Sequence, residues 1–95
     1  MGKLLILLRY VFYVYSADIK ESRRHVHVTD KKRDIERICK FWIEPKIELQ
    51  ENIGGFTKKE LNNIEKLIKN NIDILNKQLD IFYSRKKVKS ITKNE

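Results

Sequence analysis

The chain is poor in residues that cross-link or interrupt small proteins: its 95 residues include one cysteine, one proline and three glycines. The single Cys39 excludes a disulfide within the chain and any Cys-x-x-Cys metal motif, as is usual in a reducing compartment. Long hydrophobic runs are also missing. The apolar residues 4–8 end at Arg9 and fall far short of the roughly 18 that a membrane helix needs. The sequence therefore predicts a cytoplasmic protein with no membrane segment.

The length and composition indicate one small globular domain. Hydrophobic residues make up 41% and charged residues 36% of the chain, so a modest core is expected rather than disorder. We place the domain at residues 3–84 and expect residues 85–95 to form a basic, flexible tail. The net charge of +8 favours an anionic partner, of which nucleic acid is one.

Short runs of β-branched and aromatic residues predict strands in the first half of the chain. Residues 4–15 form either one long bent strand or two short strands that turn near Arg9. Residues 24–29 and 38–43 follow as strands, and the latter stops before Pro45, which cannot donate a backbone hydrogen bond. Residues 46–50 alternate in polarity, as in a short edge strand.

The second half of the chain has helical periodicity. Thr57 and Glu60 have the spacing of a capping box, and an apolar stripe at gaps of three and four residues follows over residues 61–82. Asn71 and its neighbour Asn70 lower helix propensity and permit a kink. The predicted fold is α+β: a small antiparallel β-sheet of three to five strands with one long C-terminal helix packed on one face. A monomer and a homodimer both remain open.

Both histidines of the chain lie in the segment "SRRHVHVT", residues 22–29. In a strand, His25 and His27 point to one side and the intervening valines to the other. The pattern predicts a half-buried strand with both imidazoles on its wetter face or in a cleft.

Several short motifs occur in an order that resembles the bacterial family called domain of unknown function 4160. The family pattern has an aromatic strand ending in Tyr-Ser, then Pro-Pro-His-x-His-Val, then Lys-Phe-Trp-Leu-x-Pro, and a helix opening Gly-Phe-Ser/Thr. The corresponding segments here are "FYVYS", "HVHV", "KFWIEP", "GGFTKKELNNIEKLIKNN" and "LNKQLDIFY". The resemblance extends from about residue 10 to about residue 83.

The chain departs from that pattern at two places. The paired prolines of the family are Arg23 and Arg24 here, and a tryptophan and an asparagine near the helix end are Leu79 and Asp80. The histidine pair is retained. The resemblance implies the toxin-like half of a two-gene toxin–antitoxin module, with a small cognate antitoxin-like protein as partner.

The residues suggest a chemistry for such a protein, although whether it is an enzyme stays open. His25 and His27 can act as acid and base in metal-independent, ribonuclease-like cleavage of RNA. A base can stack on Trp42, and cations flanking the histidine strand can contact phosphates. The predicted nucleic-acid-binding residues are Arg23, Arg24, Lys31, Lys32, Arg33 and Trp42.

Three alternatives stand beside this hypothesis. The histidines can simply hydrogen-bond neighbouring groups and hold the sheet face together. They can also bind a metal, but Asp18, Glu21 or Asp30 would have to complete the ligand set, and we predict no metal and no cofactor. Finally, the protein can be a non-catalytic binding module that regulates or inhibits a nucleic-acid-handling complex.

Overall fold

The computed structural model describes residues 2–32 and 35–93, leaving aside the side chains of residues 31, 32 and 35. It contains a sheet, two α-helices and a short 3-10 helix at Ser16–Lys20. The strands are β1 (Gly2–Leu7), β2 (Tyr10–Val14), β3 (His25–Lys32), β4 (Ile35–Trp42), β5 (Glu48–Glu51) and β6 (Ile91–Lys93). The helices are α1 (Lys58–Asn70) and α2 (Ile72–Tyr83).

The six strands form one mixed sheet in the order β5-β4-β3-β2-β1-β6. β1 to β5 pair antiparallel with their neighbours, whereas β6 runs parallel to β1. The α+β class is confirmed, but the prediction of a purely antiparallel sheet of three to five strands is wrong. The additional strand β6 has only three residues, too few for alternation to show in the sequence, and it lies within the segment 85–95 that was expected to be a tail.

β1 and β2 form a tight hairpin rather than one bent strand. Leu7 pairs with Tyr10, so Leu8 and Arg9 make a two-residue turn. Leu8 has a φ of 56°, in the left-handed region that such hairpin turns require. After this hairpin, β2 is followed by the 3-10 helix and then by β3, the strand that carries both histidines.

The prediction of one long C-terminal helix is also wrong, because the helix is interrupted at Asn71, between α1 and α2. The backbone of Asn71 leaves the helical region, with φ −120° and ψ 20°. Its side-chain amide donates to the Leu67 carbonyl over 2.8 Å, and its own backbone N–H reaches the same carbonyl over 3.1 Å. The side chain and the backbone of Asn71 thus share one carbonyl, and side-chain bonds of this kind give the backbone an alternative to a continuous helix.

The predicted start of α1 is confirmed. Thr57 Oγ1 accepts from the Glu60 N–H over 3.2 Å, and the Glu60 carboxylate accepts from the Thr57 N–H over 3.0 Å. Just before it, Gly54 lies so close to β4 that a Cβ would stand 2.5 Å from the Ile38 nitrogen. The Gly54 N–H donates to the Ile38 carbonyl over 2.8 Å and holds the loop against β4.

The two faces of the sheet have different roles. One face packs against the helices and forms the hydrophobic core, to which the predicted apolar stripe contributes both buried and partly buried side chains. Core residues of the sheet and helices include Phe12, Val26, Val28, Phe41, Ile64, Ile68, Leu75 and Leu79.

The opposite face carries both histidines. Tyr13, His27 and Lys40 lie opposite one another across β2, β3 and β4. His25 in turn lies opposite Trp42. Side chains directly opposite in antiparallel strands share a face, so these five residues lie together. We call them the histidine face.

Candidate functional site

A carboxylate lies between the two imidazoles of the histidine face. The 3-10 helix between β2 and β3 places Asp18 there. His27 Nε2 is 3.1 Å from Asp18 Oδ2, and His25 Nε2 is 3.3 Å from Asp18 Oδ1. One ligand atom from each of the three residues lies within 4.8 Å of the other two. We call these three residues the Asp-His-His cluster.

Asp18 is fixed by the backbone of the turn. The Tyr15 N–H donates to Asp18 Oδ2 over 2.7 Å, and the Asp18 N–H donates to the Tyr15 carbonyl over 2.9 Å. Burial acts to raise the pKa of Asp18, but the Tyr15 N–H and the two imidazoles outweigh it and lower that pKa. Asp18 is therefore an ionised carboxylate at neutral pH.

His25 is the most buried member of the cluster, with 0% of its side chain exposed. Its Nδ1 is 3.1 Å from the Arg23 carbonyl oxygen, which can only accept, so Nδ1 carries the proton of that hydrogen bond. Its Nε2 has no hydrogen-bond partner among the residues that the structure describes. The Trp42 ring closes over His25 edge to face, with centroids 5.7 Å apart. Such an orphaned buried nitrogen is rare in folded proteins.

His27 is held between aromatic rings and borders a cleft. Its ring stacks on Tyr13 at 5.4 Å and meets Tyr15 edge on at 4.8 Å. Burial lowers the pKa of His27, and the attraction of Asp18 only partly opposes this. The neutral form therefore predominates at pH 7. The cleft beside it has a volume of about 220 Å³, and Tyr15, His27, Lys40, Glu51 and Ile53 are among its lining residues.

A second carboxylate and an ammonium group complete the surroundings. Glu21 Oε2 is 3.9 Å from His25 Nε2, and both Glu21 carboxylate oxygens lie 3.5 Å from Lys40 Nζ. Lys40 Nζ also lies 4.7 Å from the centroid of the Trp42 ring. The cluster thus offers two imidazole nitrogens and a carboxylate, with a salt-bridged pair at its edge.

Among the residues predicted to bind nucleic acid, Arg23 and Trp42 contact each other. The Arg23 guanidinium lies 4.3 Å from the centroid of the Trp42 ring, and its Nε donates to the Glu44 carbonyl over 2.8 Å. Arg23 also lies 3.6 Å from Glu48. A base can therefore stack on this side of Trp42 only if Arg23 moves away.

Arg24 lies apart from the Asp-His-His cluster and contacts α2. Its Nη1 donates to the carbonyl and to the side chain of Asn76 over 3.1 and 2.9 Å, and its Nη2 donates to Asp80. Of the remaining predicted cations, Lys31 and Lys32 lie on β3 with side chains that are not described. Arg33 lies outside the described residues.

A comparison with protein families assigns the chain to a family. The family model described as Domain of unknown function (DUF4160) matches residues 10–79. The match covers most of the chain, and the chain therefore belongs to this family. No curated protein and no solved structure was found to match it. In the parts of the chain that the structure describes, none of the helices is long and apolar enough to cross a membrane.

Two residues that are distant in the sequence meet in the fold. Arg24 and Asp80, which the sequence analysis set apart from the pattern of the resembling family, form a salt bridge. The Arg24 guanidinium also lies 5.6 Å from the centroid of the Tyr83 ring.

Sequence reasoning found part of the site. The alternation of "HVHV" correctly placed both histidines on one face, and Asp18 was named only as one of several carboxylates. Lys40 was not recognised. Its contact with the site depends on the pairing of β3 with β4, which places Lys40 opposite His27. The alternation in "ICKFW" does indicate that Lys40 lies on the same face as Trp42, two residues away on β4.

Proposed function

We propose that the protein is the toxin-like component of a bacterial two-protein module and acts in the cytoplasm on RNA or another phosphate-bearing target. The main support for the proposal is a cleft whose lining residues include both Lys40 and His27 of the Asp-His-His cluster. A lysine that lines a small cleft can bring its ammonium group to a phosphate oxygen. The net charge of +8 supports the same class of target.

The volume of the cleft limits the size of the group that can bind in it. Its volume of about 220 Å³ is below the roughly 300 to 1,000 Å³ of common small-molecule sites, so it suits one phosphate with part of a nucleotide. Tyr15 is 42% exposed at its edge and offers a ring and a hydroxyl to that nucleotide. His25 has no exposed surface, so among the two histidines it is His27 that would face a bound target.

The role of Lys40 gives a direct test. In a bacterial host expressing the protein, we expect total RNA to show new cleavage products that are lost in Lys40→Gln. Lys69→Gln is the matched control, since it removes the same charge from an exposed site on α1. Intact RNA with the wild type, or cleavage that survives in Lys40→Gln, would contradict the proposal for RNA.

A second candidate function rests on the edge of the sheet. β5 is the last strand on its side, and its outer edge has no strand neighbour in the part of the chain that the structure describes. Leu49 on β5 is 39% exposed and Ile53 just after it is 74% exposed. An unpaired edge with exposed apolar side chains is suited to a partner that adds a strand. This favours a non-catalytic binding module that regulates a nucleic-acid-handling complex, or the docking of a small antitoxin-like protein.

The edge and the cleft can be tested separately. Leu49→Lys places a charge on the edge and should release a partner that binds by strand addition, while Lys40→Gln should not. We expect co-purification with a co-encoded neighbour to report the difference. If Leu49→Lys still retained the partner, the β5 edge would be excluded as its binding site.

A further inference from the structure

We infer that Asp18, His25 and His27 form a binding site for a divalent first-row transition-metal ion, such as zinc. The inference concerns the same cluster as the proposed function, but it does not depend on which target the protein acts on. Two imidazoles and one carboxylate are a ligand set that binds such ions and leaves positions open.

The orientation of His25 is the first observation. Its Nδ1 donates to the Arg23 carbonyl, so a neutral imidazole carries a lone pair on Nε2. A histidine that binds metal through one nitrogen commonly donates from the other to a backbone carbonyl, which fixes ring and tautomer. The Arg23 carbonyl therefore already provides the support that a ligating His25 would need.

The state of His25 Nε2 is the second observation. This nitrogen is buried and without a hydrogen-bond partner among the described residues, and Asp18 Oδ1 lies 3.3 Å away. A buried imidazole nitrogen and a carboxylate oxygen thus lie side by side without a hydrogen bond between them. A metal ion placed between them would bond to both atoms.

The spacing of the ligand atoms is the third observation. A tetrahedral zinc ion with bonds of about 2.0 to 2.1 Å holds its ligand atoms about 3.3 to 3.4 Å apart. Each imidazole lies at about this distance from one oxygen of Asp18: His25 Nε2 is 3.3 Å from Oδ1, and His27 Nε2 is 3.1 Å from Oδ2. All three ligand atoms fall within 4.8 Å, so small side-chain movements would complete the site.

His27 can bind a metal ion through Nε2 once its proton moves to the other ring nitrogen. It now donates from Nε2 to Asp18, whose ionised carboxylate can only accept. Moving that proton to Nδ1 frees Nε2 for the metal without any net change in protonation. Since His27 lines the cleft, an open coordination position would be available to water or to a phosphate oxygen.

The charges nearby suit a divalent ion. Glu21 lies 3.9 Å from His25 Nε2 and offers a fourth ligand. Lys40 opposes a cation, but its ammonium is paired with Glu21 at 3.5 Å. Two carboxyl groups, those of Asp18 and Glu21, thus lie around the site with one lysine.

The test is a titration of the untagged full chain, freed of metal with a chelator, with Zn²⁺ in a calorimeter. We expect one ion to bind per chain, and Co²⁺ to give visible absorption bands typical of nitrogen and oxygen ligands in a low-coordinate site. Mg²⁺ should not compete, because it prefers octahedral oxygen ligands. Absence of stoichiometric Zn²⁺ and Co²⁺ binding to the folded wild type would overturn the inference.

Variants locate the ion. Asp18→Asn and His25→Ala should each weaken Zn²⁺ binding by at least about 100-fold, more than the loss of a supporting hydrogen bond. Glu51→Gln is the control, since it lines the cleft but lies outside the cluster. Circular dichroism shows whether each variant folds. Undiminished binding by a folded Asp18→Asn would place the ion elsewhere, and no result depends on growth or RNA cleavage.

Discussion

Arg37 holds together a charged group that ties the sheet to the start of α1. Its guanidinium donates to both Asp30 oxygens over 3.0 and 2.7 Å, and to both Glu60 oxygens over 3.1 and 2.7 Å. The Asp30 side chain is 1% exposed and the Arg37 and Glu60 side chains are each 13% exposed. Substitution Arg37→Met would keep most of the side-chain volume and leave two carboxylates without their main partner.

The expected loss of stability is about 3 kcal/mol. Removing one partner of a buried ion pair costs about 3 to 5 kcal/mol, because a charge is left buried and unpaired. Arg9 lies 3.7 Å from Asp30 and 3.6 Å from Glu60, so both carboxylates keep one cationic neighbour when Arg37 is replaced. We therefore expect a loss of stability at the lower end of that range. Urea unfolding of the wild type and Arg37→Met measures the difference, and a similar m-value would show that the unfolded states are comparable.

The same contact predicts a pH dependence. Hydrogen bonds from Arg37 and from the Thr57 backbone lower the pKa of Glu60 from 4.5 to about 2. A lowered pKa in the folded state means that the stabilisation is complete above about pH 5 and is lost as the pH falls toward 2. This contribution is at most about 3 kcal/mol. Arg37→Met should flatten this part of the profile, whereas a loss below 1 kcal/mol with an unchanged acid profile would refute the reasoning.

Three further predictions concern other parts of the fold. Arg24→Ala and Asp80→Ala should each destabilise the protein, and a double-mutant cycle should give a coupling of about 0.5 to 1 kcal/mol, since Asp80 is exposed; additive effects would mean that the pair contributes nothing. Gly54→Ala should lower the thermal stability more than Gly55→Ala. A Cβ at Gly54 would meet β4, whereas at Gly55 only the φ of 67° disfavours alanine. Cys39, whose pKa is raised by burial to about 12, should resist a thiol reagent at pH 8 until the protein is unfolded, and rapid labelling of the native protein would contradict its burial.

Local patterns predicted the elements whose causes are local. The capping box at Thr57 depends on residues within one turn, and the alternation of His25 and His27 depends on a strand period of two. Both features were confirmed for that reason. The helix break was underestimated, because it depends on what the buried Asn71 side chain bonds, and the sequence shows only that asparagine lowers helix propensity.

The remaining features depend on contacts between distant segments. β6 needs β1 as a template, and the salt bridge between Arg24 and Asp80 joins residues from opposite halves of the chain. The approach of Asp18 to both histidines is of the same kind, since it depends on how the turn between β2 and β3 folds back. A single sequence contains these residues but not the geometry that brings them together.

Growth of a bacterial host after induction of the chain tests the proposed function most directly. We expect growth arrest with the wild type and with Lys69→Gln, relief with Lys40→Gln, and rescue of the wild type by its co-encoded neighbour. Equal, unimpaired growth with all three chains at equal expression would contradict the toxin-like function and leave the binding module as the better interpretation.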